Sequence, residues 1–148
     1  MIYLKELNTN RIVEFQSEAS IGAGFANWTR LNQEESLAYE LEEAKASKLN
    51  QIKSQASRRI TALYPDWKQQ NLNAAITRIQ NKEVLALKAG GSNYTPTDEE
   101  MTELKEANNC EIFIKAIRAK SNKLEASLES KTLDQLKAFD PSGNLNWQ

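Results

Sequence analysis

The chain has 148 residues, one domain's worth, and 26% of them are charged while glycines number five and prolines three, a balance that favours elongated helices over a compact β fold. The net charge of −1 gives no support to a general attraction for nucleic acid or membrane. There is no histidine, the commonest general base and metal ligand, and the single cysteine, Cys110, excludes an intrachain disulfide, a Cys–His nucleophile and a multi-cysteine zinc site.

Residues 1–17 predict a small β-hairpin. Two runs with partial alternation, 2–7 and 11–15, flank Asn8-Thr9-Asn10, which is turn chemistry. An isolated hairpin is marginal in water, so this one must pack on a helix, pair with another chain or stay mobile. Residues 18–31 read as irregular, with Gly22 and Gly24 near Phe25 and Trp28, the two aromatics expected to fasten the hairpin down. The first seven residues carry Lys5 and Glu6 with no long apolar core after them, which predicts no signal peptide. No stretch approaches the roughly 20 apolar residues of a membrane span.

Asn32 and Glu35 form a capping-box pattern for a first helix that runs to about residue 63. Leu37, Leu41, Ala44, Leu49, Ile52, Ala56, Ile60 and Leu63 recur at intervals close to three and four, the stripe of an amphipathic helix. Its polar face passes from Glu34, Glu35, Glu40, Glu42 and Glu43 to Lys45, Lys48, Lys53, Arg58 and Arg59, the order that complements the helix dipole. Pro65 interrupts the stripe. Tyr64, preceding a proline, is pushed out of the α region, whereas Pro65 suits the first turn of a new helix. The 57–72 stretch is therefore a helix–corner–helix with Tyr64 and Trp67 packing near the corner. The second helix covers 66–88, with Leu72, Ala75, Ile76, Ile79 and Leu85 on its apolar face and Gly90-Gly91 as its stop. Ala89-Gly90-Gly91-Ser92 is a poor phosphate loop: it lacks the lysine-containing pattern, and no strand precedes it.

Thr95-Pro96-Thr97-Asp98-Glu99-Glu100 is the strongest helix start, with Thr97 and Glu100 as a capping box. The third helix spans about 98–128. Met101, Leu104, Ala107, Cys110, Ile114, Ile117, Ser121, Leu124 and Leu128 hold a near-heptad spacing, which can pair within the chain or between chains. Acidic residues lead again, from Asp98 to Glu106; Lys115, Arg118, Lys120 and Lys123 follow. Thr132 with Gln135 caps a short last helix carrying Leu133 and Leu136. Asp140-Pro141-Ser142-Gly143 is a turn, and Leu145 and Trp147 end the chain as an extended tail. Trp147 is either docked on a core or offered to a partner. The expected fold is mainly α: three long helices in an elongated antiparallel bundle, organised as a hairpin and irregular segment over 1–31, a helical domain over 32–128, and a short helix with a tail over 129–148.

Little here points to catalysis. The carboxylates cluster at helix starts, where the dipole explains them, and Cys110 lies on an apolar stripe as a small core residue. Arg58 with Arg59, and Arg118 with Lys120, read as solvated faces. No enzyme, cofactor or metal site is expected.

The corner segment Leu63-Tyr64-Pro65-Asp66-Trp67-Lys68-Gln69-Gln70-Asn71-Leu72 and the later segment Phe113-Ile114-Lys115-Ala116-Ile117-Arg118-Ala119-Lys120-Ser121-Asn122 resemble a family, with Thr97-Asp98-Glu99-Glu100 between them. Together they look like the helical region of small proteins encoded beside tailed-bacteriophage fibre genes, described as tail fibre assembly proteins or chaperones. Phe25-Ala26-Asn27-Trp28-Thr29-Arg30-Leu31 leading into an acidic helix fits the same style, so the resemblance covers 25–128 in pattern. It implies a chaperone without turnover that binds the phage tail fibre protein and assists its folding and trimerisation. That role places it in the host cytoplasm during assembly, or in the virion tail if it is retained. The resemblance carries no catalytic residues. Tyr64, Trp67, Phe113 and Trp147 are the candidate partner-binding residues, and the edge of strand 2–7 is a candidate for augmenting a fibre strand. A homo-oligomer fits the helical stripes. Two further readings use the same helices: a structural tail component, or a phage-encoded inhibitor of a host protein.

Overall fold

Helix starts are written strongly into this chain. In the computed structural model, which describes residues 1–21, 23–25, 27–91 and 93–147, all three capping-box patterns are made (the readings on Gly22, Ala26 and Ser92 fall outside these residues). The Asn32 N–H donates to Glu35 at 2.8 Å and the Glu35 N–H to the Asn32 side chain at 2.9 Å. Thr97 and Glu100, and Thr132 and Gln135, exchange the same two bonds. They open helices α1 (Gln33–Leu63), α3 (Asp98–Ser127) and α4 (Leu133–Ala138). Helix α2 (Asp66–Lys88) starts instead at Pro65, which occupies the capping position itself. It stops at Gly90, whose φ of 73° is the left-handed conformation that glycine adopts without strain. The mainly α expectation holds: three long helices, a small N-terminal sheet and a short C-terminal helix. Among the described residues, no helix is long and apolar enough to cross a membrane.

The chain divides into two compact units, Met1–Lys48 with Ser130–Phe139, and Leu49–Glu129 with Asp140–Gln148; the division falls inside α1. In the first unit the expected hairpin forms from β1 (Ile2–Glu6) and β2 (Ile12–Phe15), turned at Asn10 with φ 57°. The sheet has a third strand, β3 (Trp28–Arg30), inside the segment read as irregular, paired antiparallel to β1 with Leu4 opposite Arg30. The aromatic and β-branched Trp28-Thr29 suit a strand, and β1 would otherwise expose an unpaired edge. Strand order is therefore β2-β1-β3. This corrects the expectation that strand 2–7 offers a free edge: β1 is central.

Tyr3 and Leu4 are both buried although successive strand residues point to opposite faces. Each face has its own cover. On the Tyr3 side, its ring meets Tyr39 of α1 edge-on at 5.3 Å, and its hydroxyl donates to Glu40 at 3.1 Å. On the Leu4 side, Phe25 stands edge-on to Phe15 at 5.0 Å and to Trp28 at 5.2 Å. Helix α4 completes this unit with Leu136, which is fully buried, and Lys48 donates to the carbonyl of Phe139 at 2.6 Å.

In the second unit α3 has a different neighbour at each end. Its first half runs antiparallel to α2: Lys82 reaches Glu100, Arg78 reaches Glu103 and Lys68 reaches Glu106. Its second half faces α1, where Lys53, Ala56 and Ile60 share a groove with Ser121 and Glu125. Ile52, Ala56, Ala75, Ile79, Ala107, Cys110 and Ile117 share the core with Tyr64, Leu128 and Trp147, and small alanine and cysteine side chains supply four of these positions. The C-terminal residues are a 3-10 turn (Asn144–Trp147), which corrects the expected extended tail. Asp140 accepts from the Ser142 N–H at 2.9 Å, and the Asn146 side chain donates to the Asp140 carbonyl at 2.7 Å, so the chain curls rather than extends.

Candidate partner-binding surfaces

The α1–α2 corner is built from Tyr64 outward. Its N–H closes α1 on Ile60 at 2.8 Å, and its carbonyl accepts from the side chain of Gln69 at 2.7 Å. The Pro65 carbonyl receives the N–H groups of Lys68 and Gln69 at 2.8 and 3.1 Å, so the turn's backbone is tied on both sides of the proline. The Tyr64 ring is buried, with Phe113 tilted against it at 5.8 Å and the Lys68 ammonium 4.8 Å from its centroid. Lys68 is held by Glu106 at 2.8 Å, and this hydrogen bond raises the lysine's pKa. Burial raises the pKa of the Tyr64 hydroxyl and of the Cys110 thiol, so Cys110 is a neutral core residue here. Trp67, on the next turn, is 64% exposed, and Leu63 across the proline is 53% exposed.

The four sequence candidates thus fall into different environments. Tyr64 and Trp147 are buried, Phe113 is half-buried and Trp67 is open to solvent. Tyr64 and Phe113 meet at the corner, and Trp67 lies in the first turn of α2 just after it. Trp147 is docked elsewhere in the unit: its indole N–H donates to the Pro141 carbonyl at 2.8 Å, Arg59 lies 5.1 Å from its ring centroid, and its carbonyl accepts from Lys120 at 2.6 Å.

Several stripe residues take other places than expected. Leu37, Leu63, Leu85 and Met101 are exposed. At the start of α3 the buried position belongs to Glu100, one residue before Met101. One oxygen of its carboxylate accepts from Lys82 at 2.7 Å; the other accepts from the Tyr94 hydroxyl at 2.5 Å and the Thr97 N–H at 3.0 Å. These bonds, Lys82 first, hold its pKa down to about 2. The sequence marks Glu100 as a capping residue but gives no sign that Lys82 and Tyr94 converge on it.

A second surface escaped the sequence reading. A groove of about 430 Å³ runs between α2 and α3, floored by Leu72, Ile76, Leu104 and Ile114 and rimmed by Glu111 and Lys115. Gln69 and Arg118 also line a second groove of about 410 Å³ between α1 and α3, so the two adjoin along α3. The apolar residues were legible as helix stripes. Which helix covers which half of α3 was not, and that arrangement opens the groove. Among the described residues, no group of three or more acidic or cysteine side chains could hold a metal ion.

Comparison with protein-family models, curated proteins and solved structures finds no match to this chain. The geometry therefore stands on its own: two apolar surfaces on one helical unit, a rigid aromatic corner and an open interhelical groove.

Proposed function

We propose that this chain is a tail fibre assembly chaperone of a tailed bacteriophage, one that binds the fibre protein and assists its trimerisation without chemistry of its own. The observation that carries the reading is the meeting of the two segments on which the resemblance rests. The Tyr64 ring of the first packs tilted against Phe113, which opens the second, and Trp67 stands exposed one turn on from Tyr64. A tryptophan on a backbone-locked corner suits capture of unfinished apolar surface, because little side-chain freedom is lost on binding. An incompletely assembled trimeric fibre presents such surface and is aggregation-prone until it closes. The test is co-expression with a tail fibre protein of the same phage, scoring soluble trimeric fibre. Fibre that becomes soluble only in its presence, and then purifies free of it, supports the proposal. A complex that persists in the particle assigns it a structural role in the tail instead, and a fibre indifferent to it refutes both.

A further inference from the structure

We infer that the α2–α3 groove is a self-association surface, in which two copies of this chain pack groove to groove about a two-fold axis with their α3 helices antiparallel. The first half of α3 is covered by α2 and the second half by α1, so an open side remains along much of its length. From Leu104 to Glu125 that side spans about 32 Å at the helical rise of roughly 1.5 Å per residue. Its occupant must be a rod of comparable length, and α3 itself, with 30 residues, is long enough. The floor of Leu72, Ile76, Leu104 and Ile114 suits another apolar helix face, and packing two helical pairs face to face makes a four-helix arrangement.

Charge order selects the partner and its direction. Glu111 and Lys115 sit one turn apart on the same rim, 2.5 Å from each other, with side chains 62% and 72% exposed. A two-fold axis crossing the groove midway between Glu111 and Lys115 sets each Glu111 against Lys115 of the other copy, so both charge pairs are matched at once, as an isologous interface requires. A parallel arrangement in register would oppose like charges. Trp67 does not line this groove, and the inference does not depend on what Trp67 binds.

The test is a charge swap read by light scattering from micromolar to sub-millimolar concentration, with circular dichroism as the check on folding. The wild type is expected at twice its 16.8 kDa mass. Glu111→Lys alone, or Lys115→Glu alone, sets like charges against each other across the axis and should weaken the dimer by about tenfold or more with unchanged helicity. Glu111→Lys combined with Lys115→Glu should restore it. A wild type that stays monomeric throughout the range overturns the inference. So does a dimer that neither single variant weakens, or one that the combined variant fails to restore.

Discussion

Glu100 is a charged side chain in a buried position, held there because both of its oxygens are engaged, by Lys82, Tyr94 and the Thr97 N–H. Its carboxyl is held at about 2 against an ordinary 4.5, so the folded state binds the anion better than the unfolded state does. The stability this supplies is fully present above pH 4.5 and is lost as the pH falls toward 2. Thermal unfolding followed by circular dichroism should therefore show a steep decline in Tm across that window. In Glu100→Gln, the Tm should be lower at neutral pH and the slope below 4.5 shallower. Tyr3 carries the opposite sign. Burial and its hydrogen bond to Glu40 push its hydroxyl up to about 12, favouring the neutral form in the fold. Its contribution is intact below pH 10 and is lost as the pH rises through 10 toward 12. Tyr3→Phe should cost about 1 kcal/mol at neutral pH, the net worth of one hydrogen bond, and should flatten the alkaline limb of the stability profile.

At the scale of elements, local signals and tertiary choices separate cleanly. Helix boundaries were legible because they are set by groups a few residues apart: Asn32 with Glu35, Thr97 with Glu100, Thr132 with Gln135, Pro65 after Tyr64, and Gly90 after Lys88. Gly90→Ala tests one of them. Its positive φ should cost an alanine about 1 kcal/mol in urea denaturation, without a clash, since open space surrounds the position. Strand β3 was not legible, since Trp28-Thr29-Arg30 is three residues long and gains strand character only by pairing with β1. Nor was the exchange of Met101 for Glu100 on the buried face, which depends on Lys82 and Tyr94 arriving from other parts of the chain. The corner lies between these cases. Its position was set by Pro65, but the division of its aromatics into buried Tyr64 and exposed Trp67 followed only from the packing of Phe113 and Lys68.

For the molecule as a whole, folding and recognition should be separable by mutation. Ile52 is fully buried in the second unit, and Ile52→Ala should lose about 2–5 kcal/mol by chemical denaturation. Tyr64→Ala should cost a comparable amount, because the ring is enclosed by Phe113 and Lys68. Trp67→Ala should change stability by only about 0.5 kcal/mol or less, as expected for an exposed position. Yet covering a mostly exposed indole removes on the order of 130 Å² of apolar surface from water, about 3 kcal/mol at roughly 25 cal/mol per Å². That is enough to alter an affinity by about 100-fold. The decisive measurement is the yield of soluble trimeric fibre when the fibre is co-expressed with wild-type chain or with Trp67→Ala at equal abundance. The account predicts abundant trimer with the wild type and a yield near that of fibre alone with Trp67→Ala, although the variant unfolds at the same denaturant concentration as the wild type. Equal fibre yields from the two, both well above fibre alone, would contradict it, because the corner would then have no part in capture.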